Sequence, residues 1–160
     1  MRGVKYVELK FSLNQISFAI EKQAVVKMNT YIQKNSSTPE SGGLLLGRTD
    51  VSGNTRIIDV TTPLGKDIKN RYFFKRIDEG HIKLLQSANE RCLYFKGNWH
   101  THPQVDPMPS CIDMHSWKAA MKKSKPGESG YIFFIIIGSN RLRVWAGNMK
   151  TKEIKQMESL

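Results

Sequence analysis

Two histidines one residue apart, His100 and His102, are followed after seven residues by Ser110 and then by Asp113. Two imidazoles and one carboxylate fill three of the four positions of a catalytic zinc and leave the fourth for water. Side chains alternate along a strand with period two, so His100 and His102 point to one face and are able to share one ion. Pro103 stops the strand, and Pro107 and Pro109 stiffen the connector that follows. Ser110-Cys111-Ile112-Asp113 then opens a helix, from whose first turn Asp113 returns its carboxylate to the same ion. The same Ser-x-x-Asp is also a plain helix-capping arrangement, which accounts for both residues without any metal. Hydrolysis would further need a base to move a proton from water to the leaving group. Spacing leaves several glutamates open for that task, Glu40 among them, and a surface acid is the bland reading of each. A deaminase is disfavoured, because HxE is missing and no PCxxC follows.

The elements around these residues follow from periodicity. Loose alternation predicts a strand over residues 4–12 and a second over 16–20. Val25, Met28, Tyr31 and Ile32 predict a helix over 21–34, broken by the polar stretch 35–39. After Glu40 comes Gly42-Gly43-Leu44-Leu45-Leu46-Gly47, a strand buried on both faces whose glycine pair calls for close backbone approach or a bulge. Residues 50–54 form a turn, 56–62 a strand, 66–71 a loop and 72–74 a short strand. Ile77, His81, Leu84, Leu85, Ala88 and Cys92 predict an amphipathic helix with Asp78 as N-cap and His81 packed on its apolar face. Residues 93–98 lead into the histidines. Met114, Trp117 and Met121 form a core-facing helical stripe that ends at Pro126-Gly127. Residues 131–137 make a central strand, 138–140 a hairpin turn, and 142–146 its returning strand, with 150–160 adding one edge strand or fraying. The pattern is α+β, a mixed sheet flanked by helices.

A chain of 160 residues is most simply one domain over 1–160, large enough to bury a core. Its formal charge of +11 favours an acidic partner, a nucleic acid or an anionic surface, yet no single run concentrates that charge. The densest cluster is Lys118, Lys122, Lys123 and Lys125, read as solvated surface, and a nucleic-acid partner is not expected. Two cysteines without CxxC argue against a disulfide scaffold and for a reducing cytoplasm. Charges at Arg2, Lys5, Glu8 and Lys10 break any signal-peptide core, and the apolar run 131–137 is too short to span a bilayer, so no membrane association is expected.

Taken together, Glu40, Gly42 to Gly47, His100-Thr101-His102-Pro103, Ser110 and Asp113 resemble the JAMM (JAB1/MPN/Mov34) zinc metalloprotease family. That family's signature is an upstream Glu, then H-[S/T]-H-P, seven residues and S-x-x-D. The resemblance implies a single-domain MPN/JAB-like α+β fold, a curved mixed β-sheet flanked by helices in a cytidine-deaminase-like layout. It implies zinc held by His100, His102 and Asp113, and Glu40 activating the zinc-bound water and protonating the leaving amine. Ser110 would hydrogen-bond the water or the oxyanion, and Thr101 would support the ligands. Cys111, inside the S-x-x-D element, is expected to turn into the core beside Trp117.

Gly97-x-Trp99, Pro107-x-Pro109, Trp117 and Phe74-x-Arg76 are further similar to short stand-alone bacterial JAB peptidases of anti-phage operons. Those work beside a cGAS-like nucleotidyltransferase and an E1/E2-like ligase. The implied activity is an isopeptidase cleaving after the tail of a ubiquitin-like protein, or releasing a conjugated cGAS-like nucleotidyltransferase, with substrate supplied in trans. Selective polyubiquitin recognition is not expected, since residues 47–99 leave no room for longer insertions. Two other readings stay open: a non-catalytic MPN scaffold or basic nucleic-acid-binding module, and a JAMM hydrolase of small peptide or amino-acid conjugates.

Overall fold

The apolar run expected at 44–46 is the middle of strand β3 (Gly42–Thr49), buried from Gly42 to Gly47. A computed structural model, describing residues 7–125 and 129–160, sets β3 between β4 (Thr55–Val60) and β7 (Tyr94–Thr101), antiparallel to both. The glycine pair answers to close approach rather than to a bulge. A Cβ on Gly43 would stand 2.0 Å from the Thr61 carbonyl oxygen, and one on Gly42 2.5 Å from that of Trp99. The register slips instead at Leu45/Leu46 against β7 and at Leu46/Gly47 against β4.

The remaining strands are β1 (Leu9–Leu13), β2 (Ile16–Ile20), β8 (Tyr131–Ile137), β9 (Leu142–Asn148), β10 (Ile154–Gln156) and β11 (Glu158–Ser159). They extend the sheet to the order β10-β9-β8-β7-β3-β4-β2-β1-β11, in which β2/β4 and β7/β8 are parallel, so the sheet is mixed as expected. Its two ends are consecutive in the chain. Gln156 pairs with Trp145 of β9 and Glu158 with Ser12 of β1, while Met157 between them is buried and donates its N–H to Val144. The sheet therefore curls until one segment closes both edges, where the sequence suggested one edge strand or fraying. Inside the curl lie Phe18 and Phe133, with ring centroids 4.4 Å apart, together with Ile20, Leu45, Ile57, Trp99 and Ile135.

Helix α1 (Lys22–Asn29) buries Ala24, Val25 and Met28 and ends earlier than its apolar pattern suggests. The Tyr31 and Ile32 N–H groups turn back to Met28 and Asn29, and Asn35 Oδ1 accepts from the Ser37 and Thr38 N–H groups. Turn bonding thus outcompetes a longer helix and sends Gln33 inward. Residues 66–78, expected as a loop over 66–71, a short strand over 72–74 and the start of the next helix at 77–78, form a small flap with the pair β5 (Ile68–Lys69) and β6 (Phe74–Lys75), outside the main sheet.

Asp67 gathers the neck of this flap, accepting from the N–H groups of Leu64, Ile77 and Asp78 and meeting His81 Nε2 at 2.6 Å. The other His81 nitrogen lies 2.7 Å from Thr61 Oγ1, so His81 is the packed histidine its position predicted. Helix α2 (Gly80–Glu90) starts later than expected, with Glu79 in the N-cap position and Asp78 Oδ1 accepting from the Gly80 N–H. Cys92 falls beyond α2 in a left-handed conformation and is exposed.

Helix α3 (Cys111–Lys123) seats the expected stripe on the outer face of the sheet, Trp117 stacking on Phe134 at 4.6 Å and meeting Trp145 at 5.4 Å. Cys111 does not join Trp117 in that core; it is exposed, because the helix turns it away from the sheet. Residues 4–6 of the first expected strand, and Pro126-Gly127, lie outside the described residues. Among the described residues no helix is long and apolar enough to cross a membrane.

Candidate metal centre

Strand β7 carries the histidines, and a glycine sets which way they face. Gly97 has φ +148, and a Cβ there would fall 1.7 Å from the Phe133 carbonyl oxygen, so only glycine fits at the β3/β7 register slip. Beyond it the side chains alternate: Trp99 and Thr101 are buried inward, while Asn98 and His100 line an outer cleft. The chain leaves β7 with the His102 N–H still bonded to Ile137 at 3.0 Å. Both imidazoles converge, His100 Nε2 lying 3.2 Å from His102 Nε2.

Asp113 arrives from the first turn of α3, its Oδ1 3.1 Å from His100 Nε2 and its Oδ2 3.1 Å from His102 Nε2. The capping arrangement is present as well: Ser110 Oγ accepts from the Asp113 N–H and Asp113 Oδ2 from the Ser110 N–H. Capping and convergence on the histidines are thus compatible uses of one carboxylate.

Glu40 comes from the other side, just before β3. Its neighbour Ser41 is locked to Thr101, with the Thr101 N–H donating to Ser41 and the Ser41 N–H to Thr101 Oγ1, both at 2.9 Å. Thr101 Oγ1 in turn donates to Gln33 Oε1 at 3.0 Å. These bonds hold Glu40, only 5% exposed, with Oε1 3.6 Å from His102 Nε2.

Two carboxylates therefore flank the histidine pair. One ligand atom from each of Glu40, His100 and His102 lies within 4.8 Å of the others, and Asp113 approaches the same two imidazoles from the opposite side. A tetrahedron with metal bonds of about 2.0–2.1 Å has edges of about 3.3 Å. The 3.2 Å between His100 Nε2 and His102 Nε2 is close to that edge, and each imidazole lies 3.1 Å from a different oxygen of Asp113, so the N/N/O donors of these three residues are chemically suited to zinc, with Glu40 Oε1 a further 3.6 Å from His102 Nε2.

The charges agree with the geometry. Burial opposes ionisation of Asp113, but hydrogen bonds with His100 and His102 outweigh it and hold its carboxyl well below the usual range. Burial likewise opposes protonation of His102, yet bonding to Asp113 and the charges of Asp113 and Glu40 raise its pKa. Burial pushes Glu40 up to about 7, against the lowering charge of His102 and with the charge of Asp113.

The cleft beside these groups has a volume of about 250 Å3 and runs under the flap, past Phe74, Arg76, Asn98, Ile112 and Trp117. A larger cavity of about 420 Å3 lies near α1 and α2, but its lining contains no histidine and its Asp59 is paired with Lys27 at 2.6 Å. Only the smaller of the two adjoins the histidine pair and Glu40.

Several supporting residues escaped the sequence reading. Gln104 Oε1 stands 3.4 Å from His102 Nδ1 and accepts from the Met108 N–H, which orients His102 with Nε2 toward Asp113. Gln33 backs Thr101, Arg76 donates to Asn98 Oδ1 in the cleft wall, and the Glu40 N–H is held by Asn70 of the flap at 2.8 Å. The partners of Gln33, Arg76 and Asn70 are distant in the chain, so no local spacing marks them, whereas those of Gln104 are two and four residues away but follow no recurrent motif. Gly97 and Arg76 left a trace, in the Gly97-x-Trp99 and Phe74-x-Arg76 patterns of the narrower resemblance, without a role attached to either.

A curled mixed sheet with a His-x-His strand end, a helix-borne aspartate and a buried glutamate defines the JAB-like class of α+β domain. The chain belongs to the prokaryotic homologs of the JAB domain, which its residues 23–150 match. It is similar to the CD-NTase/cGAS isopeptidase of Escherichia coli strain TW11681, 31% identical over 144 residues that cover 87% of this chain and 86% of that one. Its likeness to the protein of the same name from Vibrio cholerae is 30% over 142 residues, covering 84% and 85%. The solution structure of a Desulfitobacterium hafniense protein matches 89% of this chain and 90% of that one with a TM-score of 0.61 at 17% identity, which shows the shared fold.

Proposed function

We propose that this protein is a zinc-dependent isopeptidase that releases a protein, of the cGAS-like nucleotidyltransferase kind, from a conjugate formed through a ubiquitin-like tail. The observation carrying this reading is the convergence of His100, His102 and Asp113 at 3.1–3.2 Å beside a buried Glu40. His100, His102 and Asp113 would hold the ion. Zinc so held supplies a Lewis acid that polarises a carbonyl and brings the pKa of water toward about 7.

The chain's own groups do the rest. Glu40, buried beside the histidine pair, where burial raises its pKa in the metal-free site, is placed to take a proton from the attacking water and give it to the departing lysine amine. Ser110 Oγ already accepts from the Asp113 N–H, which leaves its hydroxyl proton free to donate to the oxyanion. Gln104 fixes the His102 ring, and the Thr101 bonds keep Glu40 at its distance. Residues 1–160 work as one domain in the cytoplasm, with the conjugate entering in trans beneath the flap.

Metal analysis and a cleavage assay on a fusion joined through a ubiquitin-like C-terminus test the reading. One zinc per chain is expected, and Glu40→Gln should keep the zinc and lose cleavage by about 100- to 10,000-fold. Full cleavage by chelated protein would refute it.

A further inference from the structure

Helix α3 has two working sides. Ile112, Asp113, Ser116, Trp117 and Ala120 line the cleft, whereas Met114 and Lys118 lie roughly opposite, at about 100° per residue, and face β10. Between α3 and β10 runs a groove of about 330 Å3 lined by Met114, Lys118, Lys152, Glu153, Ile154 and Lys155. Its floor is apolar, Met114 and Ile154 being only partly covered, and its rim is basic, with three exposed lysines to one glutamate. Glu153 reaches Lys155 at 3.6 Å, while Lys118 and Lys152 have no ion-pair partner among the described residues. Lys122, one helical turn past Lys118 and exposed, continues the basic strip along α3.

Solvated charge alone does not explain why these lysines border an apolar floor. A side chain of leucine size would cover Met114 and Ile154, while flanking carboxylates would meet Lys118, Lys152 and Lys155. No arginine and no aromatic ring lines the groove, so it offers neither bidentate phosphate contacts nor a base-stacking platform.

We propose that this groove docks an acidic segment bearing one or two large aliphatic side chains, on the protein conjugate that the metal centre cleaves. The proposal rests on the isopeptidase reading for what the segment belongs to, and on the groove alone for its chemistry. Lys118 is five residues from Asp113, about 7.5 Å along the helix axis and on the far side of α3, so a conjugate held there reaches the cleft by passing over one helix.

The test titrates the full chain with a fluorescent peptide in which Asp and Glu flank two leucines, with the same peptide carrying serines instead, and with a single-stranded oligonucleotide. The leucine peptide should bind, the serine peptide should bind several-fold more weakly, and the oligonucleotide should fail to displace it. Lys118→Glu/Lys152→Glu/Lys155→Glu should weaken the leucine peptide by about tenfold or more, while the corresponding Lys→Arg triple variant retains binding.

The charge-reversed variant should also cleave a folded conjugate more slowly but release a small fluorophore from the same tail at the wild-type rate. Equal peptide binding by wild type and charge-reversed variant would overturn the docking site, as would displacement of the peptide by the oligonucleotide. If wild type cleaves neither substrate, the isopeptidase reading fails while the titration still decides the groove.

Discussion

Asp113 shows how one side chain serves two structures at once. It closes the cap of α3 and meets both histidines, so capping does not prevent its carboxylate from converging on them. Glu40 differs, because burial sets its chemistry. Its folded pKa of about 7 stands above the ordinary 4.5, so the fold favours the protonated form. Below the ordinary value both folded and unfolded chains hold the proton and stability is unaffected. Between the two values the folded chain binds more proton, and stability falls as pH rises. In chelated protein, the stability of wild type relative to Glu40→Gln should therefore drop by about 3 kcal/mol between pH 4.5 and 7.5, read by urea unfolding at each pH. A pH-independent difference would contradict the assignment of burial as the cause.

At the scale of elements, the neck of the flap gathers on one residue, Asp67. Asp67, with a side chain 0% exposed, receives three backbone N–H groups and His81, and through them ties residues 64, 77 and 78 together. The flap then reaches the centre by the Asn70 carbonyl on the Glu40 N–H and by Arg76 on Asn98. Asp67→Ala leaves the buried His81 ring and two part-buried N–H groups without their acceptor, so it should cost about 2–3 kcal/mol in urea unfolding. Trypsin should also cut the variant faster at Lys66, Lys69 and Arg71, which are already exposed and are protected only by backbone order. An unchanged digestion pattern would show that the flap is held by its β5/β6 pair instead.

The whole molecule depends on its last strand segment. With β10 on β9 and β11 on β1, residues 154–159 cover both edges of the sheet, and Met157 plugs the interior between them. Sheet edges left bare are templates for association, so closure protects solubility as well as stability. Met157→Ala should cost about 2–4 kcal/mol by chemical denaturation, whereas Met157→Leu should cost less than about 1.5 kcal/mol. A negligible effect of alanine would mean that the segment is decoration rather than closure.

Residue order alone determined what is local. Alternation at the end of β7 aligned His100 with His102, S-x-x-D started α3 and placed Asp113 in its first turn, and the Leu44 to Leu46 run marked a doubly buried strand. His81 was legible too, as a polar residue on an apolar stripe that packing must satisfy. The family resemblance, not spacing, singled out Glu40.

Tertiary structure decided everything that joins distant segments. Pairing of β3 with β7 brings Glu40 to 3.6 Å from His102, the flap hairpin closes over the cleft, Gln33 meets Thr101, and a polar tail becomes a closing strand. Side-chain periods of two and 3.6 report which face a residue takes within its own element. Which element that face meets depends on register and sheet curvature, and these arise from packing across the whole chain.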